Sequence, residues 1–251
     1  MLFLFIIGGI QKTTLLDFPG KVAAIVFTQG CNFRCGYCHN PDLLEIKQIC
    51  HPELVSGYFS KEKLLSFLQT RIGKLDGVVI SGGEPTLQTG LYDFIEEIKK
   101  MGFLVKLDTN GTNPQVVERL INDNLLDYIA MDIKAPLEKY SQITGTYSLA
   151  PLGRGSKGVG LHYNIQKSIS IIMQSNVDYE FRTTVLKSQL SFDDFEKIGQ
   201  MIYGAKRYYL QKFVPSEILN KKLLSESTYT DKEFQTICQN LKKYVEFVDY
   251  R

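Results

Sequence analysis

The chain has 251 residues, 44% of them hydrophobic and 22% charged, which is globular composition without the bias of a disordered chain. Its 29 basic and 27 acidic residues leave a formal charge of +2 with no basic run, so neither nucleic acid nor an anionic membrane is an expected partner. Five cysteines, three of them within eight residues, suit a metal centre in a reducing compartment better than a secreted disulfide framework.

Residues 1–10 are strongly apolar, too short to span a bilayer and not preceded by a basic segment. They read as a first strand, and a cytoplasmic location is expected. Further on, runs rich in Val, Ile, Phe, Tyr and Leu predict strands at 22–28, 77–81, 103–109, 128–134, 179–185 and 208–213. Helix signals fall between them. Leu91, Phe94, Ile95 and Ile98 recur at helical spacing, and Asn113-Pro114 reads as a cap followed by proline at the first helical position. Ser191 with Asp194 and Thr230 with Glu233 read as capping boxes, while residues 150–160, with four glycines, read as a loop.

Strands alternating with helices predict βαβ units and parallel pairing. The expected fold is α/β, a partial (β/α)6 barrel of parallel strands with a short N-terminal extension and a C-terminal helix. It would form one domain over 1–251, with a core at about 20–215 and a helical segment at about 216–251. An open doubly wound sheet is the competing arrangement. Polar residues then gather behind successive strands: Cys31, Gly82-Gly83-Glu84, Asp108-Thr109-Asn110-Gly111, Asp132 with Lys134, and Arg182 within the fifth. In either arrangement the carboxyl ends of the strands form the reactive face.

The densest chemistry is Gln29-Gly30-Cys31-Asn32-Phe33-Arg34-Cys35-Gly36-Tyr37-Cys38-His39-Asn40. Three thiolates on one short loop can converge on a single inorganic centre. A closed [4Fe-4S] site takes four cysteines, so three would leave one iron open to a ligand. The plain alternative is zinc, with His39 completing the set or Cys50 and His51 posing as a second knuckle, although the ring of His39 would have to double back.

Cys-x3-Cys-x2-Cys with Tyr37 before the last cysteine, followed by Ser81-Gly82-Gly83-Glu84-Pro85, resembles the radical S-adenosylmethionine superfamily across residues 9–213. Leu16-Asp17-Phe18-Pro19-Gly20-Lys21, Cys38-His39-Asn40-Pro41 and Met131-Asp132-Ile133-Lys134 more narrowly resemble activating proteins of anaerobic ribonucleoside-triphosphate reductase.

The resemblance implies a [4Fe-4S] cluster on Cys31, Cys35 and Cys38 that splits S-adenosylmethionine to methionine and a 5′-deoxyadenosyl radical. It implies Tyr37 and His39 against the adenine, Gly82 and Gly83 beside the methionine moiety, and Glu84 near its amine. Asp132 and Lys134 would address ribose and carboxylate, with Asp108, Asn110 and Arg182 nearby. Related activases also hold a monovalent cation, for which Asp108, Thr109 and Asp132 match. They place a histidine on the last strand where this chain has Phe213, with Gln211 as a substitute donor.

The implied partners are a glycyl-radical enzyme, here the anaerobic reductase, and an electron donor such as flavodoxin or ferredoxin. The alternatives are a radical enzyme acting on a small molecule, in the manner of 7-carboxy-7-deazaguanine synthase, and a zinc-stabilised binding module. Cys50 and Cys238 carry no assigned role, nor do His51 and His162, which lie in loop-like sequence, and Glu180 with Arg182 reads as an ion pair on one strand face.

Overall fold

The structure, a computed structural model, describes residues 5–46, 60–146 and 159–251. The order is β1 (Ile7–Thr14), β2 (Ala23–Thr28), α1 (Lys61–Gln69), β3 (Gly77–Gly82), α2 (Leu91–Lys100), β4 (Leu104–Thr109) and α3 (Pro114–Asn122). Then come β5 (Tyr128–Asp132), α4 (Leu137–Thr144), α5 (Val159–Gln174), β6 (Asp178–Val185), α6 (Phe192–Met201), β7 (Ala205–Lys212), α7 (Asp231–Leu241) and β8 (Val245–Tyr250). This is the expected α/β class. The sheet order runs from β1 to β8 in sequence, with those two strands at its ends.

Two compact units make up the chain: 1–32 with 42–109 and 115–129, and 33–41 with 110–114 and 130–251. In the first unit β1 runs antiparallel to β2, while β2, β3 and β4 pair in parallel, Thr28 opposite Gly82 and Ile80 opposite Leu107. Apolar runs such as Ala23–Val26 and Val78–Ile80 are fully enclosed, as inner parallel strands require. Phe18, from the turn after β1, packs with Ala23, Ile25, Val79 and Tyr128. The apolar stripe of α2 (Leu91, Phe94, Ile95, Ile98) is buried as its spacing predicts.

In the second unit β6, β7 and β8 pair in parallel, Arg182 opposite Tyr209 and Tyr208 opposite Val248. Both capping boxes form, at the starts of α6 and α7.

Three expectations shift. The first strand, Ile7–Thr14, runs past residue 10, because Gln11 pairs with Ile25 and, beyond an irregularity at Lys12 and Thr13, Thr14 pairs with Ala23; residues 1–4 lie outside the described residues. The segment at about 216–251 is helical only in its middle. A 3-10 turn (Lys221–Ser225) precedes α7, and β8 follows it with a two-sided pattern of buried Val245 and Val248. His162, placed in a loop by composition, lies inside α5. Cys50, His51 and residues 150–158 lie outside the described residues.

Candidate functional site

In the first unit, the carboxyl ends of β2, β3 and β4 converge by parallel register. Gly83 N donates to Thr28 O at 2.9 Å and Glu84 N to Gly30 O at 2.8 Å. The closeness explains the glycine pair. A Cβ on Gly82, whose φ is +115°, would sit 2.3 Å from Thr28 N, and one on Gly83 would sit 2.2 Å from Gly30 O. The chain entering Cys31 is thus laid directly on the Gly-Gly-Glu turn, and Cys31 N is held by Leu44 O at 3.1 Å.

Glu84, 1% exposed, is an acceptor hub. Its Oε1 receives Thr86 N at 3.1 Å, Thr86 Oγ1 at 2.5 Å and Thr109 Oγ1 at 2.8 Å. Asp108 accepts from Ser81 Oγ at 3.1 Å and pairs with Lys106, a side chain only 2% exposed. Sequence reasoning passed over Lys106. The available signal was a lysine two residues before Asp108 in an otherwise apolar strand, hence on the same face.

In the second unit, Cys35 and Cys38 close one turn, Cys38 N donating to Cys35 O at 3.0 Å. Phe33 and Tyr140 meet edge to face at 6.2 Å, and Arg34 N donates to Thr144 O at 2.7 Å, so α4 anchors this part of the loop. Burial raises the Cys35 thiol to about 11, Lys134 pulling it down and Cys38 pushing it up. A metal binding there must displace that proton. Burial also lowers the pKa of His39, whose ring stacks on Phe213 at 5.9 Å and lies 2.9 Å from Ser216 Oγ through Nδ1. Phe213, expected to stand where related proteins have a histidine, therefore carries the His39 ring.

Asp132 lies between two cations: Lys134 Nζ reaches Oδ2 and Arg182 Nε reaches Oδ1, each at 2.9 Å. Burial alone would raise its pKa, but Arg182 and then Lys134 hold it at about 2. Burial would lower that of Lys134, yet the Asp132 carboxylate keeps it well above its ordinary value. Beside the expected Glu180–Arg182 pairing the fold supplies other partners, Glu180 accepting from Arg251 at 2.6 Å and Arg182 reaching Asp132. Asn110 caps its own turn by accepting from Thr112 N and Oγ1, and Ser168 of α5 donates to Gly111 O at 2.7 Å.

Fold and loop define an enzyme class in which thiolates and polar groups stand at the carboxyl ends of parallel strands. Residues 25–152 match the Radical SAM superfamily, and the chain belongs to it. A protein of Methanocaldococcus jannaschii, named as a candidate glycyl-radical enzyme activating enzyme, is 31% identical over 98% of this chain and 95% of its own length. A pyruvate formate-lyase-activating enzyme of Clostridium pasteurianum is 35% identical over 55% of this chain and 57% of its own.

Among solved structures, SuiB of Streptococcus suis bound to the precursor peptide SuiA aligns with a TM-score of 0.64 at 12% identity, covering 90% of this chain and 48% of that one. TYW1 with a lysine-pyruvate adduct bound gives 0.59 at 18%, covering 89% and 74%. At such identities these two likenesses concern the fold alone.

Membership implies a [4Fe-4S] cluster and S-adenosylmethionine, and it favours iron–sulfur over zinc. The residues present fit such a group. Cys31, Cys35 and Cys38 all stay as thiols. Gly30, with φ at +90°, and Gly83, where a Cβ would strike Gly30 O, mark the start of the loop as a place that admits no side chain of their own. The Tyr37 hydroxyl, on a side chain 4% exposed, has no hydrogen-bond partner among the described residues. No group of three or more His, Cys, Asp or Glu among them is gathered tightly enough for a single metal ion. A cube of four irons is wider than one ion and sets its thiolates farther apart. None of the described helices is long and apolar enough to cross a membrane.

Proposed function

We propose that this chain is a glycyl-radical activase in which Cys31, Cys35 and Cys38 hold the cluster, within one catalytic domain over 1–251 acting in the cytoplasm. The observation that carries the reading is the 31% identity over 98% of the chain to a protein named for that activity. When bound, the cluster supplies the electron that splits S-adenosylmethionine into methionine and a 5′-deoxyadenosyl radical.

The chain's own residues bind and orient. Lys134, charged at any physiological pH, would meet the cofactor carboxylate, and Asp132, ionised, the ribose hydroxyls. Arg182 would keep Asp132 in place. Gly82 and Gly83 would expose backbone beside the methionine moiety, with Glu84 holding that turn and facing the amine. Backbone at Tyr37 and His39 would lie along the adenine. Asp108 and Asn110 would complete the site from the third strand-end turn.

The partner we propose is anaerobic ribonucleoside-triphosphate reductase, with flavodoxin or ferredoxin as electron donor. Anaerobic reconstitution, reduction and addition of S-adenosylmethionine with the reductase should give a glycyl electron-paramagnetic-resonance doublet on the reductase. Absence of the doublet, together with deoxyadenosine formation stimulated by a pterin instead, overturns the activase reading. The monovalent cation is a separate proposal for Asp108, Thr109 and Asp132. Lys106 already stands against Asp108, and Lys134 and Arg182 against Asp132. An unchanged rate of cofactor cleavage in sodium- and potassium-free buffer removes it.

A further inference from the structure

The segment between β7 and α7 is bound at several points to the second half of the cysteine loop. Leu219 N donates to Cys38 O at 3.2 Å and Asn220 N to Gly36 O at 2.8 Å. Ser216 meets His39. Leu223 lies so close to Gly36 that a Cβ there would be 2.9 Å from its Cδ1, with Asn220 Cβ at 3.3 Å. Asn220 is itself fixed, its Oδ1 accepting from Lys222 N at 3.1 Å to cap the 3-10 turn. Ile218 is buried, whereas Val214, Leu219 and Leu224 face solvent. A largely exposed segment is thus pinned at the carbonyls on either side of Tyr37 and Cys38.

In a trans peptide the C=O and the following N–H point to opposite sides. With the Gly36 carbonyl turned to Asn220, the Tyr37 N–H points away from the segment. With the Cys38 carbonyl turned to Leu219, so does the His39 N–H. Amides aimed at cluster sulfurs raise the reduction potential, because they favour the more negative reduced state.

We propose that residues 214–225 form a positioning strap that sets the two peptide planes around Cys38, so that the amides of Tyr37 and His39 face the cluster and tune it. This rests on the cluster assignment above. Leu219, Asn220 and Leu223 are positioning residues that act through the loop.

The test compares wild type, Gly36→Ala, Leu223→Ala and the double variant. In cluster-free protein, amide hydrogen exchange at 214–225 should speed at least tenfold in Gly36→Ala, since the added methyl collides with Leu223. It should return toward wild type in the double variant, where the space is restored. After anaerobic reconstitution, Gly36→Ala should retain less iron and sulfide and show a lower midpoint potential in a spin-resonance redox titration, both recovered by adding Leu223→Ala.

If Gly36→Ala does not fold, Leu219→Pro, which deletes the donor to Cys38 from the strap side, carries the same measurements. Faster exchange with unchanged potential and retention overturns the strap's role and leaves the cluster assignment standing. A wild type that takes up no cluster overturns that assignment, and the strap's tuning role with it.

Discussion

Lys106 is 2% exposed in the middle of β4, and its ammonium is charge-matched by Asp108 and stands 5.9 Å over the Tyr128 ring. An enclosed ion pair adds little net stability, but removing one member strands the other charge. Lys106→Met should therefore cost about 3 kcal/mol in urea unfolding, and the Lys106→Met/Asp108→Asn double variant markedly less. Equal losses in the single and double variants would contradict the pairing. Tyr37 is the reverse case. Its buried hydroxyl lacks a partner among the described residues, so Tyr37→Phe should leave the cluster-free protein as stable as wild type or up to about 1 kcal/mol more so. A loss well beyond that in the same measurement would mean that the hydroxyl is satisfied.

Among the elements, α6 and α7 depend most visibly on their first turns. Asp194 caps α6 by accepting from Ser191 N and Oγ at 2.7 and 2.8 Å, and it also takes Lys139 Nζ of α4 at 2.6 Å. Burial would raise its carboxyl, but Lys139 and the Ser191 cap hold it below the ordinary value. A depressed carboxylate contributes stability that is complete above its unfolded pKa, near 3.8, and is lost as pH falls through the lower folded value. Wild type should thus lose stability below about pH 4 more steeply than Asp194→Asn, which should already be about 2 kcal/mol weaker at neutral pH. Parallel pH profiles from thermal melts would exclude the link. For α7, Thr230 and Glu233 exchange bonds reciprocally, and Thr230→Ala should cost about 1 kcal/mol by denaturant titration.

For the molecule, the eighth strand decides where the parallel order stops. Arg251 at its end donates N–H to Leu210 O at 2.9 Å, accepts from Lys212 N at 2.8 Å and carries its guanidinium to Glu180, which is 2% exposed. Deleting residues 245–251 should expose the β7 edge and remove that guanidinium, giving lower thermal stability and concentration-dependent association by light scattering. A truncated chain that stays monomeric and melts with wild type would show β8 to be dispensable.

Much of this was legible in the residues, because local signals fixed it. Helical spacing marked α2, reciprocal side chains marked the starts of α6 and α7, and the crowding of Cys31, Cys35 and Cys38 marked a loop that falls within the family match. β8 was not legible. Its short Val-Glu-Phe-Val-Asp-Tyr run becomes a strand by pairing with β7, and such pairing has no local signature. The same holds for charge partners. Glu180 and Arg182 sit on one strand face and look paired in one dimension, and the fold adds Arg251 to the first and Asp132 to the second. Residue type and spacing determined what chemistry the chain could hold. Which groups meet was decided only by tertiary structure, because contacts across long sequence separation depend on how strands are ordered rather than on what any one segment prefers.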